Sequence, residues 1–140
     1  MKIGFIEDDA AIAHSFHLMT HLRPHLSAQA YQEQVQQLRQ QHGYQLVGLE
    51  DEGLRALAGI RISQWLHTGR YLEVEDLITA ESDRSKGYGA SLLRWIADYA
   101  RAEGCAQLRL VSGVQREAAH RFYLREGLKF EAKYFSLALS

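Results

Sequence analysis

Leu77-Ile78-Thr79 is followed, four residues later, by Arg84-Ser85-Lys86-Gly87-Tyr88-Gly89, and then by Leu92, Leu93, Ile96 and Ala100 at helical spacing. The three apolar and β-branched residues end a strand-like run, and the later four line one face of a helix. The hexapeptide is therefore a strand-to-helix junction. Glycines at 87 and 89 let the backbone turn tightly and bring its N–H groups close to a ligand with no Cβ in the way. A helix opening there adds unpaired N–H donors and the positive end of its dipole. Arg84 and Lys86 add formal positive charge. The junction reads as an anion cradle suited to a diphosphate.

Two familiar phosphate-binding loops are excluded by spacing. A Walker-type loop needs four residues between its first glycine and a Gly-Lys-Ser/Thr, and no such run occurs. A dinucleotide fingerprint needs a third glycine three residues after the second, where this chain has Leu92.

Composition narrows the class. The chain has 140 residues, enough for one domain, 1–140, with a sizeable core. Hydrophobic residues make up 46% and charged residues 24%, as in soluble globular proteins rather than disordered ones. A net charge of −1 gives no reason to expect a nucleic-acid partner. A single cysteine, Cys105, excludes an internal disulfide, and its place at the head of an apolar run reads as a buried strand thiol. Glu7, Asp8 and Asp9 stand where a signal peptide would carry its apolar segment, and no apolar stretch is long enough to span a membrane. A cytoplasmic protein without membrane contact is expected.

Working outward from the junction gives the element order. Lys2–Ile6 reads as a strand, with Asp8 or Asp9 capping a helix that carries Ile12, Phe16, Met19 and Leu22 and stops near Pro24. Ser27 caps a second helix with Tyr31, Val35 and Leu38 on its apolar face, glutamines on the other, and an end near Gly43. Strands follow over 44–49, 54–62 and about 70–79, the first two joined by the turn Glu50-Asp51-Glu52-Gly53. After the glycine loop come a helix over 88–103 stopped by Gly104, a strand over 106–111, a helix over 116–126 stopped by Gly127, and a closing strand over Leu128–Leu139. The order β-α-α-β-β-β-α-β-α-β predicts an α/β sandwich with a mixed central sheet of about six strands and four helices. Strands on either side of the junction helix are expected to run parallel.

The pattern Arg-x-x-Gly-x-Gly, followed by Ala90 and preceded by a strand ending in Thr79, resembles the acetyl-CoA pyrophosphate loop of the GNAT superfamily of N-acetyltransferases. The element order is also that of this superfamily. The stretch His120–Gly127, HRFYLREG, looks like its last helix, where a Phe-Tyr pair precedes a glycine, and the C-terminal half is similar to aminoalkylphosphonate N-acetyltransferases. The resemblance implies transfer of an acetyl group from acetyl-CoA, as co-substrate, to a primary amine. It places Arg84, Ser85, Lys86, Gly87, Tyr88, Gly89 and Ala90 on the pyrophosphate. Leu77 and Thr79 bracket the pantetheine arm, which pairs with the strand almost as an added strand does, and Ile78 between them reads either as a cofactor contact or simply as core.

Thioester aminolysis needs an unprotonated amine, donors for the tetrahedral oxyanion and a proton for the departing thiolate. For the amine, the acids of YLEVEDL are candidates: Glu75 first, Glu73 next. Alternation puts Glu73 and Glu75 on one face and Asp76 on the other unless a bulge intervenes, and a bulge in this strand is usual in the family. The same acids also read as a solvated face, or as partners of Arg61 or Arg70. A backbone N–H near Leu77 is the family's usual oxyanion donor. For the thiolate, Tyr123 matches by motif position, since a phenol is protonated at neutral pH. Where many relatives place an asparagine after the fifth strand, this chain reads Ser112-Gly113-Val114-Gln115.

His14, His17, His21 and His25 recur at three- and four-residue spacing, but Pro24 interrupts them and no Cys or Glu-x-x-His partner is near. They read as a polar face beside the acceptor pocket, and no metal is expected. The alternative to an enzyme is a non-catalytic acetyl-CoA-binding sensor or regulatory module. A small-molecule amine is expected as acceptor ahead of a protein. Its acids favour a cationic amine, whereas a phosphonate would demand basic residues such as Arg23, Arg61 or His21. The resemblance also allows a homodimer.

Overall fold

Helix ends are set by local chemistry, and the computed structural model, which describes residues 1–140, follows it closely. The Asp8 side chain accepts the Ala11 N–H at 2.7 Å and starts α1 (Asp9–Leu22). Ser27 does the same for α2 (Ala28–His42) through Ala30 at 3.1 Å, and Gly43, at φ +71°, ends it in the left-handed region. With β1 (Lys2–Ile6), β2 (Tyr44–Glu50), β3 (Leu54–Trp65), β4 (Gly69–Thr79), α3 (Tyr88–Ala102), β5 (Gln107–Leu110) and α4 (Glu117–Arg125), the expected order is reproduced as far as α4. The sheet is five-stranded in the order β1-β2-β3-β4-β5.

The chain divides into two compact units, residues 1–109 and 110–140. In the first, β1 to β4 are antiparallel neighbours, and both sheet faces are covered. Ile12, Leu18 and Met19 of α1 and Tyr31 and Val35 of α2 pack with Tyr44, Leu46 and Leu57, the partly buried Ile78 joining them. The opposite face meets α3, which buries Leu92, Leu93, Ile96 and Ala100, while Phe5 sets its ring edge against Trp95 and Tyr99. Period-2 alternation explains the division: Tyr44 and Leu46 point to one layer, and Gln45, which accepts a hydrogen bond from Tyr99, points to the other.

β5 follows β4 in the same direction. The Ala106 N–H donates to the Arg70 carbonyl at 2.8 Å, and three residues on in both strands Arg109 reaches Glu73. The parallel crossover through α3 is thus present. Cys105, expected in a strand, lies half-buried in the turn before β5, its N–H on the Ala100 carbonyl.

In residues 110–140, α4 ends at Gly127, at φ +95°, and the Leu128 N–H returns to the Tyr123 carbonyl at 3.0 Å. The closing strand expected over Leu128–Leu139 does not form, so the sheet has five strands rather than six. Alternation assigns side chains to faces but supplies no partner, and a strand without a ladder has no stability of its own. Phe130, Tyr134, Phe135, Leu137 and Leu139 are exposed. No helix is long and apolar enough to cross a membrane.

Candidate active site

The glycine loop turns the chain from β4 into α3. A 3-10 turn over Glu81–Asp83 leads from β4 to Arg84, Ser85 takes φ +73°, and Gly87 caps α3 at φ +83°. No side chain caps this helix, and the first-turn N–H groups have no intrahelical acceptor by geometry. Open space surrounds the position a Cβ would take on Gly87. Arg84, Ser85, Lys86 and Gly87 are exposed, while Tyr88, Gly89 and Ala90 are half-buried.

Asp83 anchors the loop from beneath. It is 3% exposed and accepts from Arg55 at 3.4 Å and from Lys86 Nζ at 3.3 Å, while the Tyr88 hydroxyl donates to Asp51 at 2.7 Å. The sequence reading missed Asp83, Asp51 and Arg55. An acid three residues before Lys86 was the available signal for Asp83, but only the fold brings Arg55 and Asp51 to the loop.

Ahead of the loop, β4 carries the bulge. Gly59 of β3 stands opposite Asp76, but Ile60 stands opposite Val74, which leaves Glu75 as the extra residue. The extra residue puts Asp76 opposite Gly59, on the face where Arg61 stands opposite Glu73, instead of on the other side of the sheet. Each acid meets an arginine. Glu73 accepts from Arg109 at 2.9 Å. The Arg61 Nη2 donates to Glu75 at 3.2 Å, while its Nε lies 2.8 Å from the other carboxylate oxygen without an aligned hydrogen bond. Arg23, at the C-terminal end of α1, donates to Asp76 at 2.9 Å and to the Glu75 carbonyl at 3.0 Å. Tyr44 donates to the second Asp76 oxygen at 2.7 Å.

These contacts have electrostatic consequences. Burial raises the Glu75 pKa above the usual carboxylate value; Arg61 opposes this, and Asp76 and Glu73 reinforce it. Tyr44 is pushed well up by burial and by Asp76. Burial also takes Tyr31 to about 12, its hydroxyl 2.8 Å from the buried Ser15. Arg109 lies over both Trp65 and Tyr71, 4.1 and 3.8 Å from the ring centres, which fixes the guanidinium that holds Glu73.

Leu77, Ile78 and Thr79 pair with Ala58, Leu57 and Ala56 on one edge of β4. The Ile78 side chain is turned into the core.

In the second unit, Tyr123 is half-buried on α4 beside Phe122. Burial raises its pKa, while hydrogen-bonded Arg116 pulls the other way. His120 is held against the Gly113 carbonyl at 2.8 Å, and the Ser112 hydroxyl is buried without a partner. His14, His17, His21 and His25 are all exposed, and no three His, Cys, Asp or Glu side chains gather as metal ligands. Two surface cavities, of about 540 and 860 Å³, border α2 and touch neither β4 nor the glycine loop.

Comparison with known proteins agrees with this geometry. The Acetyltransferase (GNAT) family pattern matches residues 10–128. An uncharacterised N-acetyltransferase of Bacillus subtilis, YhdJ, is 38% identical over 125 residues, 88% of each chain. An aminoalkylphosphonate N-acetyltransferase of Salmonella typhimurium is 36% identical over 75 residues, 53% of this chain and 49% of its own. In three dimensions, an aminoglycoside N-acetyltransferase in complex with CoA superposes with a TM-score of 0.83 at 14% identity, covering 99% of this chain and 96% of the other. A loop that bares helix-opening amides, behind a bulged acidic strand and inside a matching sequence pattern, places this chain in the GNAT acetyltransferase family.

Proposed function

We propose that this protein transfers an acetyl group from acetyl-CoA to a primary amine of a small molecule, by direct attack of the amine on the thioester. The observation that carries the reading is the succession along the chain: a carboxylate on the bulge of β4, then uncapped amides at the start of α3. The cradle fits a diphosphate, with Arg84, Ser85, Lys86 and the amides of Gly87, Tyr88, Gly89 and Ala90 as its contacts. Leu77, Ile78 and Thr79 would pair with the pantetheine arm.

In this reading Glu75 takes a proton from the acceptor's ammonium group, directly or through water, and leaves the free amine to attack, because burial makes its carboxylate more basic. Glu73 is the weaker candidate, since its ion pair with Arg109 is itself held by two rings. The nitrogen lone pair forms a bond to the carbonyl carbon, the C–S bond then breaks, and the proton still on the new amide nitrogen is released to solvent. By its place in the family motif, Tyr123 gives a proton to the departing sulfur, since a phenol is protonated at neutral pH. Acetylation of small-molecule amines by relatives, aminoalkylphosphonates among them, supports a small acceptor. We infer that the reaction runs in the cytoplasm, on a single domain spanning 1–140, which a family pattern matching residues 10–128 supports.

Calorimetry with coenzyme A, followed by thiol release from acetyl-CoA with and without an amine mixture, tests the reading. Binding together with amine-dependent release is expected. Binding without such release across broad amine sets would instead make the protein an acetyl-CoA sensor.

A further inference from the structure

Register alone does not decide which arginine meets which acid of β4. Arg61 stands directly opposite Glu73 in the β3–β4 ladder, and opposed residues on one face have Cβ atoms about 5 Å apart. Glu73 is therefore its acid by pairing, yet Arg61 reaches past it to both oxygens of Glu75, at 3.2 and 2.8 Å. Glu73 is taken from the other side, by Arg109 of β5 at 2.9 Å.

More than that ion pair holds Arg109 in place. Its guanidinium lies 4.1 Å from the Trp65 ring centre and 3.8 Å from that of Tyr71, the two rings being 5.7 Å apart. The Trp65 indole N–H donates to the Thr68 hydroxyl, which donates in turn to Gln107 of β5 at 3.3 Å. One of the rings that clamp Arg109 is thus tied to the strand that carries it.

We propose that Arg109, clamped by Trp65 and Tyr71, is a positioning residue for the base: by engaging Glu73 it reserves Arg61 for Glu75, and so fixes where that carboxylate points and the charge beside it. This rests on the acetyl-transfer reading with Glu75 as the base. Glu75 is faced by Arg61 from β3, by Glu73 and Asp76 on its own strand, by Arg23 from the end of α1 and by Tyr44 from β2. Arg23 and Tyr44 are committed to Asp76, at 2.9 and 2.7 Å, so Arg61 is the cation that can exchange between Glu73 and Glu75. The four side chains of the two pairs are only 21–31% exposed, so salt screens them little. Without Arg109, Arg61 is drawn to the acid opposite it, and Glu75 loses its cation while an unpaired Glu73 stands nearby. Both changes raise the Glu75 pKa.

The test reads the Glu75 carboxyl by NMR titration of the full chain, its resonance identified by its loss in Glu75→Gln. Beside it runs the pH dependence of thiol release from acetyl-CoA with the same amine mixture. Arg61→Gln should raise both the Glu75 pKa and the acid limb of the rate by about one pH unit. Arg109→Gln should move both the same way by about half as much or more. Arg109→Lys, which keeps the charge without the planar group that stacks, and Tyr71→Leu should move them less. In Glu73→Gln, where Arg61 has no second acid to take, adding Arg109→Gln should move neither by more than about 0.2 unit. A titration midpoint is read within one variant and does not depend on how much of it folds. A Glu75 pKa unmoved by Arg109→Gln, or moved equally in the Glu73→Gln background, overturns the inference and leaves acetyl transfer standing. A pKa that moves while the limb stays shows that Glu75 is not the base, and overturns it too. Coenzyme A binding without amine-dependent thiol release in the unsubstituted chain withdraws acetyl transfer and the inference with it.

Discussion

Gly59→Ala should damage this protein out of proportion to one added methyl group. A Cβ at residue 59 would lie 1.8 Å from the Tyr44 hydroxyl oxygen, 2.4 Å from Cζ and 2.6 Å from an Asp76 carboxylate oxygen. The Tyr44 ring must therefore move, and the 2.7 Å bond it donates to Asp76 is lost. A hydrogen bond to a charged group contributes about 1.5–3 kcal/mol, and forcing a methyl into a packed site costs about 1–3 kcal/mol. The two overlap, so a loss of about 3 kcal/mol is expected, which lowers Tm by about 10 °C for a chain of this size. Tyr44→Phe alone removes the bond without the clash and should cost about 2 kcal/mol. In urea unfolding the double variant should then fall short of the summed single effects by about that amount, because the bond is removed once. Strict additivity, or a Tm change within about 2 °C for Gly59→Ala, would show that this glycine is not reserved for the Tyr44–Asp76 contact.

Other outcomes are expected from the same site. Because folding raises the Glu75 pKa, its contribution to stability is present below the ordinary carboxylate value and lost as pH rises through the raised one. The rate runs the opposite way, climbing as the base form appears, and Glu75→Gln should flatten that limb of the pH–rate profile while leaving coenzyme A affinity within about twofold. Tyr123→Phe should slow turnover by about tenfold or more, and a change within about twofold in steady-state assays would reduce it to a packing residue. Arg84→Ala should weaken coenzyme A binding several-fold by calorimetry at low salt and less at high salt, since an exposed charge is screened. Gly87→Ala, forced to φ +83°, should cost about 1–2 kcal/mol of coenzyme A binding or stability.

The parts legible in sequence were those encoded locally. Asp8, Ser27 and Gly43 fixed helix ends because a cap is a contact within three residues. The glycine-led start of α3 was legible because Gly87 and Gly89 sit together between a strand and a helical face. Two of the three arginine–acid pairs were not, since Arg23 lies 53 residues from Asp76, and Arg109 lies 36 from Glu73. Arg61 is a candidate partner from sequence, but only register brings it opposite Glu73 and beside Glu75. The missing final strand has the same origin: alternation over Leu128–Leu139 is a local property, and pairing is not.

The bulge at Glu75 shows why several distant residues matter at once. An extra residue interrupts the ladder and leaves backbone groups to be satisfied elsewhere. Arg23, reaching from the end of α1, supplies a donor to the Glu75 carbonyl and holds Asp76 with the same side chain. Tyr44 from β2 holds the other oxygen of Asp76, and Gly59 on β3 leaves room for that bond. The irregularity is thus fixed by α1, β2 and β3 from outside its own strand. A carboxylate carried on so constrained a backbone keeps its position relative to the glycine loop a few residues on. Loosening any of these supports should therefore lower kcat before it lowers coenzyme A affinity, because the cradle has its own separate anchor in Asp83, Arg55 and Asp51.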